Sequence, residues 1–231
     1  MSTPIAQKLT DISSFTSKLL RKNFGRGPES CQAFLNERFL IFYIQGFLSP
    51  METILLEHSN ADNIDISRSI VMNSVLAQLK GILELEFEQD ILEFYHDWNY
   101  NKNTGMITVV FEEPVTSGDE LMILFPERSS LILETERITA MVQKIPDMTE
   151  AYRISPKLFL VMRKGILIPL EKALIAKGFH QTLLVTKDDL EKAYCYNEGR
   201  FEEILKQPIA DIFLDWNLNE DKSVMCFVLK S

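Results

Sequence analysis

Residues 39–52 read FLIFYIQGFLSPME, and residues 158–171 read LFLVMRKGILIPLE. Gly46 aligns with Gly165, Pro50 with Pro169 and Glu52 with Glu171, all at an offset of 119. Further on, Asp97-Trp98-Asn99 aligns with Asp215-Trp216-Asn217 at an offset of 118, and these are the only two tryptophans in the chain. An ordered series of this kind reads as one unit written twice, a conclusion that precedes any assignment of elements. Between the anchors, Met72, Val75, Leu76, Leu83 and Phe87 fall on one face at three- and four-residue steps. The offset of 118 carries that face to Leu190, Ala193, Tyr194, Phe201 and Leu205, which places one lost residue between Glu171 and Leu190.

Each copy reads as a small α+β unit, spanning residues 1–113 and 119–231. The first opens with a helix over about 4–22, its apolar stripe carried by Ile5, Leu9, Ile12, Phe15, Leu19 and Leu20. Gly25-Arg26-Gly27-Pro28 stops it, because glycine admits a left-handed turn and proline forbids continuation. A strand near 38–45, with a short partner near 31–35, is apolar almost throughout and predicts burial on both faces or a bulge at Gly46. Ser49-Pro50-Met51-Glu52 starts a helix: serine caps, proline fits the first turn and glutamate suits the positive end of the dipole. Helices near 50–58 and 65–88 follow, then strands near 91–99 and 106–112 joined by a turn at Asn101 to Gly105.

The second copy predicts helices near 130–144, 168–177 and 186–206, and strands near 157–164, 209–217 and 223–230. Pro114 to Gly118 reads as the linker. Helices beside a mainly antiparallel sheet make the class α+β, and two such copies are expected to pack about a pseudo-twofold axis, as a homodimer of single units would.

Composition narrows the function classes. The chain has 231 residues, 46% apolar and 25% charged, the balance of a globular protein with a real core. A net charge of −9 argues against nucleic-acid binding. The first residues, MSTPIAQKLT, lack a signal-peptide core, and the most apolar runs, 39–51 and 158–170, are too short to cross a bilayer. Cys31, Cys195 and Cys226 show no metal-ligand spacing, so reduced thiols in a cytoplasm are expected.

Candidate chemistry is sparse. His58, His96 and His180 have no partner at ligand spacing, and a surface or half-buried role is the plainer reading. Trp98 and Trp216 could line a pocket, but core filling braced by Asp97 and Asp215 is preferred. Gly25, Arg26 and Gly27 could converge on a small anion, although a helix stop accounts for them, and Lys144 to Asp147 lacks both glycines in the second copy. Glu52 and Glu171 read as helix-capping carboxylates. No catalytic triad, phosphate loop, dinucleotide fingerprint or zinc motif is present, so neither an enzyme nor a cofactor is expected.

Phe24-Gly25-Arg26-Gly27-Pro28, followed by the strand ending in Gly46-Phe47-Leu48-Ser49-Pro50-Met51-Glu52, resembles the MpsC-like family, with its GRGP and G-x-L-[TS]-P-x-E patterns ahead of a long helix and terminal hairpin. The resemblance covers about 5–112 well and 130–230 more loosely, the second copy being degenerate at GRGP. It implies a bacterial, non-enzymatic accessory protein, cytoplasmic or peripheral at the membrane, associated with a sodium-translocating, membrane-potential-generating or bicarbonate system and partnered by a transporter subunit. The alternative is a soluble sensor binding a small anion or metabolite between the copies, through Arg26 and the tryptophans.

Overall fold

The computed structural model describes residues 4–58, 61–116 and 125–230, and the chain divides into two compact units, Met1–Gly118 and Asp119–Ser231. In the first, α1 (Ile5–Phe24) precedes a hairpin of β1 (Ser30–Asn36) and β2 (Phe39–Gln45). Helices α2 (Pro50–Glu57) and α3 (Ala61–Phe87) come next, then a hairpin of β3 (Ile91–Asn99) and β4 (Thr104–Phe111). The four strands form one antiparallel sheet in the order β1-β2-β4-β3, so the two hairpins meet through β2 and β4.

Alternation along the strands sorts the side chains by face. Leu40, Phe42 and Ile44 of β2 and Ile107, Val109 and Phe111 of β4 form a core with Leu19 and Leu20 of α1 and Met72, Val75, Leu79 and Leu83 of α3. Phe39, Ile41, Met106 and Val110, on the other face, are buried as well. That is the physical content of the near-continuous apolar run at 39–44. The stop after α1 is as expected: Gly25 takes φ +74° and its N–H returns to Arg21 O at 2.9 Å. Trp98 lies across its strand partner Gly105, where an added Cβ would sit 2.0 Å from the indole. Pro114 to Thr116 of the expected linker stay with the first unit, Val115 packing on its core and donating to Glu37 O; Ser117 and Gly118 lie outside the described residues.

The second unit has the same plan. Its elements are α4 (Arg128–Val142), β5 (Met148–Ser155), β6 (Leu158–Lys164), α5 (Pro169–Ala176), α6 (His180–Glu198), α7 (Phe201–Leu205), β7 (Ile209–Asn217) and β8 (Lys222–Leu229). The sheet order, β5-β6-β8-β7, repeats that of the first unit, and bulges interrupt β3 and β7 at matching places.

Two expectations need correction. The second copy has a first strand, β5, that the sequence reading did not place, its polar alternation from Met148 to Ser155 being that of an edge strand. The helix expected over 186–206 is two helices with a break at Gly199-Arg200, and the missing residue lies there. Buried Leu183, Lys187, Glu191 and Cys195 match Ile64, Arg68, Met72 and Leu76 at an offset of 119, whereas Phe201 and Leu205 match Leu83 and Phe87 at 118. Leu190, assigned to the inner face, is 43% exposed. Glycine is needed at the break, since a Cβ on Gly199 would meet Cys195 O at 2.4 Å. Glu134 of α4 holds the restart by accepting from Arg200 N at 2.7 Å, and Arg137 donates to Glu198 O at 2.6 Å.

Candidate functional site

The repeated G-x-x-x-P-x-E segment begins with a glycine that backbone geometry requires. Gly46 has φ +67°, and the Glu29 side chain fills the space a Cβ would take. Its N–H donates to Asn103 O, while the next two N–H groups, of Phe47 and Leu48, donate to Asn103 Oδ1 at 2.7 and 2.8 Å. The β3–β4 turn thereby clamps the chain entering α2. Pro50 opens that helix, and Ser49 and Glu52 cap it reciprocally: Ser49 N donates to Glu52 Oε2 at 2.7 Å, and Glu52 N to Ser49 Oγ at 3.3 Å.

Glu52 also does something the capping reading omitted. Its carboxylate receives Arg68 of α3 in a fork, Nε to Oε1 at 2.6 Å and Nη2 to Oε2 at 3.0 Å, and Nη2 donates to Phe47 O at 3.0 Å. Arg68 is 2% exposed and ringed by aromatic faces, Trp98 at 4.4 Å, Phe47 at 4.9 Å, Tyr100 at 5.4 Å and Phe24 at 5.7 Å. Burial would raise the Glu52 pKa, but the Arg68 bonds outweigh it and the carboxyl is held below its usual range. Burial, aided by the Arg68 charge, pushes His96 down to about 4, so its imidazole is neutral at neutral pH. Tyr100 donates to Asp65 Oδ1; its hydroxyl is pushed up by burial and by that carboxylate.

The second unit builds the same clamp with different chemistry. Gly165 has φ +71° against the Asp147 side chain, and Ile166 N and Leu167 N donate to Asp221 Oδ1 at 2.8 and 2.9 Å. Ile168 offers no side-chain acceptor, so only the Glu171 half of the cap remains, from Ile168 N at 2.8 Å. Lys187 replaces Arg68 and bonds Glu171 at 2.8 Å, with its ammonium 5.3 Å from the Trp216 ring. Gln143 Nε2 donates to the same carboxylate at 2.7 Å. Lys187 then approaches Glu191 at 3.4 Å, and Glu191 pairs with Arg163 at 2.7 Å. Arg163 donates further to Ser223 Oγ at 2.8 Å and Thr139 Oγ1 at 2.9 Å. Where the first unit has Leu20, Ile44, Met72 and Gly105, the second thus has Thr139, Arg163, Glu191 and Ser223, and a buried quartet of two cations and two carboxylates crosses its core.

Substituting Asp221 by asparagine, the residue type of the first-unit clamp, isolates the charge. Burial would raise the Asp221 pKa, but the N–H groups of Leu167 and Ile166 and the Lys172 ammonium hold it below the usual value of 3.8. A depressed folded pKa adds stability that is present above 3.8 and lost as pH falls towards the folded value. Wild type and Asp221→Asn should therefore differ least in the most acidic urea melts and diverge as pH rises through 4, the wild type gaining.

The residues singled out from sequence divide by unit. Arg26 is exposed and lies 3.7 Å from Glu29, while the Arg21 side chain covers Gly27. Trp98 stacks on Arg68 and Trp216 faces Lys187, each within its own unit. Asp97 and Asp215 accept from the following tryptophan N–H, at 2.6 and 2.7 Å, and Asn99 and Asn217 brace the turns. Cys31 and Cys195 are pushed up to about 12 by burial and stay protonated. Among the described residues no group of three or more His, Cys, Asp or Glu is placed to hold a metal ion. An open groove of about 550 Å³ runs between α1 and β1, lined by Leu9, Ser13, Ser17, Cys31, Ala33 and Phe34 among others.

Sequence reasoning missed Arg68, Lys187, Arg163 and Glu191. A usable signal existed: in both copies a long basic residue follows the capping glutamate by 16 positions.

Residues 6–113 match the family model for MpsC, described as a Na+-translocating membrane potential-generating system. The first unit is thus an MpsC-family unit, and the match stops short of the second. No curated protein and no solved structure matches the chain.

Proposed function

We propose, with the MpsC match of residues 6–113 as premise, that this chain is a non-enzymatic accessory protein on the cytoplasmic side of a Na+-translocating, membrane-potential-generating system. The family match carries this reading. Two features support it. No described helix is long and apolar enough to cross a membrane, so the chain would act beside a spanning subunit rather than as one. The motif carboxylates Glu52 and Glu171 are both paired with internal cations, which favours a scaffold role for the motif.

Affinity capture of the tagged chain from gently solubilised native cells tests the reading. Enrichment of a multi-spanning transport subunit, lost when the exposed surface of the first unit is altered, is the expected result. Recovery of the chain alone would overturn it.

A further inference from the structure

A local departure from the acidic character of this chain lies at the C-terminal end of α1. Between Asp11 and Glu29 there are four cations, Lys18, Arg21, Lys22 and Arg26, and no carboxylate, in a chain of net charge −9. All four are exposed. Lys18, Arg21 and Lys22 stand three and four residues apart on α1, which turns them to one side, and Arg26 follows just beyond the Gly25 stop.

Basic residues in the last turn of a helix are favoured by its dipole, and one or two need no other reason. Two observations go beyond that. The neighbouring helix offers no neutralising charge: residues 69–79 of α3 carry none, and Lys22 meets α3 at neutral Gln78, 3.4 Å away. Along the same stripe of α3, Gln78 bonds Ser74, and Ile70 one turn further is 66% exposed. The second unit lacks the array. Positions offset by 119 are Arg137, Ala140, Met141 and Ile145, and Arg137 is committed to Glu134 at 2.7 Å and to Glu198 O.

We infer that the basic end of α1, with exposed Ile70 beside it, is a docking surface for an anionic lipid bilayer. The basic side chains are exposed, Lys22 meeting neutral Gln78 and Arg26 lying 3.7 Å from Glu29 at the rim of the array; dispersed exposed cations suit a plane of diffuse negative charge better than a single small anion. The −9 of the whole chain opposes such a surface, so approach is confined to this one face. The inference deepens the membrane-system reading by naming what would hold the first unit at the membrane. It is measured on purified chain without any partner, so its failure and that of the accessory role are separable.

The test is co-sedimentation with vesicles of equimolar phosphatidylglycerol and phosphatidylcholine. Binding is expected at low salt, to fall steeply as NaCl rises to about 0.5 M where screening is complete within a few ångströms, and to be absent with pure phosphatidylcholine. Neutralising Lys18, Arg21, Lys22 and Arg26 to glutamine should weaken it on the order of a hundredfold. A second variant with Lys157, Lys177, Lys206 and Lys230 changed to glutamine has the same net charge and should retain more of the binding. Equal loss in both variants would assign the effect to net charge and overturn the site. So would absence of binding, salt-insensitive binding, or association only with an acidic protein. The salt titration uses the unaltered chain, so it decides even if the first variant misfolds.

Discussion

Glu52→Ala is expected to lower the stability of the first unit by about 3–5 kcal/mol, the cost of leaving a buried charge without its counter-ion. Arg68 would keep the Phe47 carbonyl and its four aromatic neighbours. Ring faces supply about 0.5–2 kcal/mol to a cation, too little to replace a forked carboxylate. The pair itself adds little over an apolar filling. Glu52→Leu combined with Arg68→Met should therefore regain most of the loss, short by about 1 kcal/mol for the Ser49 N–H that Glu52 no longer caps. Urea melts followed by Trp98 fluorescence in a Trp216→Phe background would read the first unit, since each unit holds one tryptophan. If the double variant were as unstable as the single one, the cap and not the ion pair would be what Glu52 provides. Low pH should act in the same direction as the single substitution. The Glu52 pKa is depressed in the folded chain, so its contribution is present above its ordinary value of 4.5 and is lost as pH falls below it.

Much of this architecture was legible because it is written in backbone chemistry. Gly46, Pro50 and the Asn101–Gly105 turn each allow few conformations, and the recurrence of the first two at an offset of 119 marked the unit before any helix was assigned. The apolar run of β2 likewise pointed to burial on both faces or a bulge at Gly46, and the strand is buried on both faces. What failed was the rule that inward positions are apolar. At Leu190-Glu191 the leucine is outside and the glutamate inside, because Arg163 and Lys187 supply the charge that lets a carboxylate sit in the core. Those cations stand 28 residues before Glu191 and one helical turn before it, and only the folded sheet brings Arg163 across. The same blindness moved the missing residue away from the Gly199-Arg200 break. Edge strand β5 was lost for a related reason: Thr149, Glu150, Tyr152 and Arg153 give it polar character that a search for apolar runs passes over.

Glu191→Met should cost the second unit about 3–5 kcal/mol, because two buried cations lose a shared carboxylate. Lys187 retains Glu171 at 2.8 Å, whereas Arg163 is left with the neutral hydroxyls of Thr139 and Ser223. Adding Arg163→Ile removes the stranded charge and recreates the Ile44 and Met72 pair of the first unit. Thr139 then still donates to Thr135 O at 2.7 Å, so the remaining debit is the Ser223 hydroxyl, about 1–3 kcal/mol if it finds no other partner. Converting Ser223 to glycine as well completes the first-unit set with Gly105. Against these losses stands the desolvation of one ion pair no longer carried by the core. The triple variant should accordingly melt at or above the wild type, read by Trp216 fluorescence in a Trp98→Phe background. A triple variant no more stable than Glu191→Met would show that the core around Trp216 is shaped to its charges and cannot accept the apolar set. Full recovery would mean that the quartet is not what keeps the second unit folded. Its charges would then fix which helix faces meet the sheet at the 199–200 break, where periodicity leaves more than one register open.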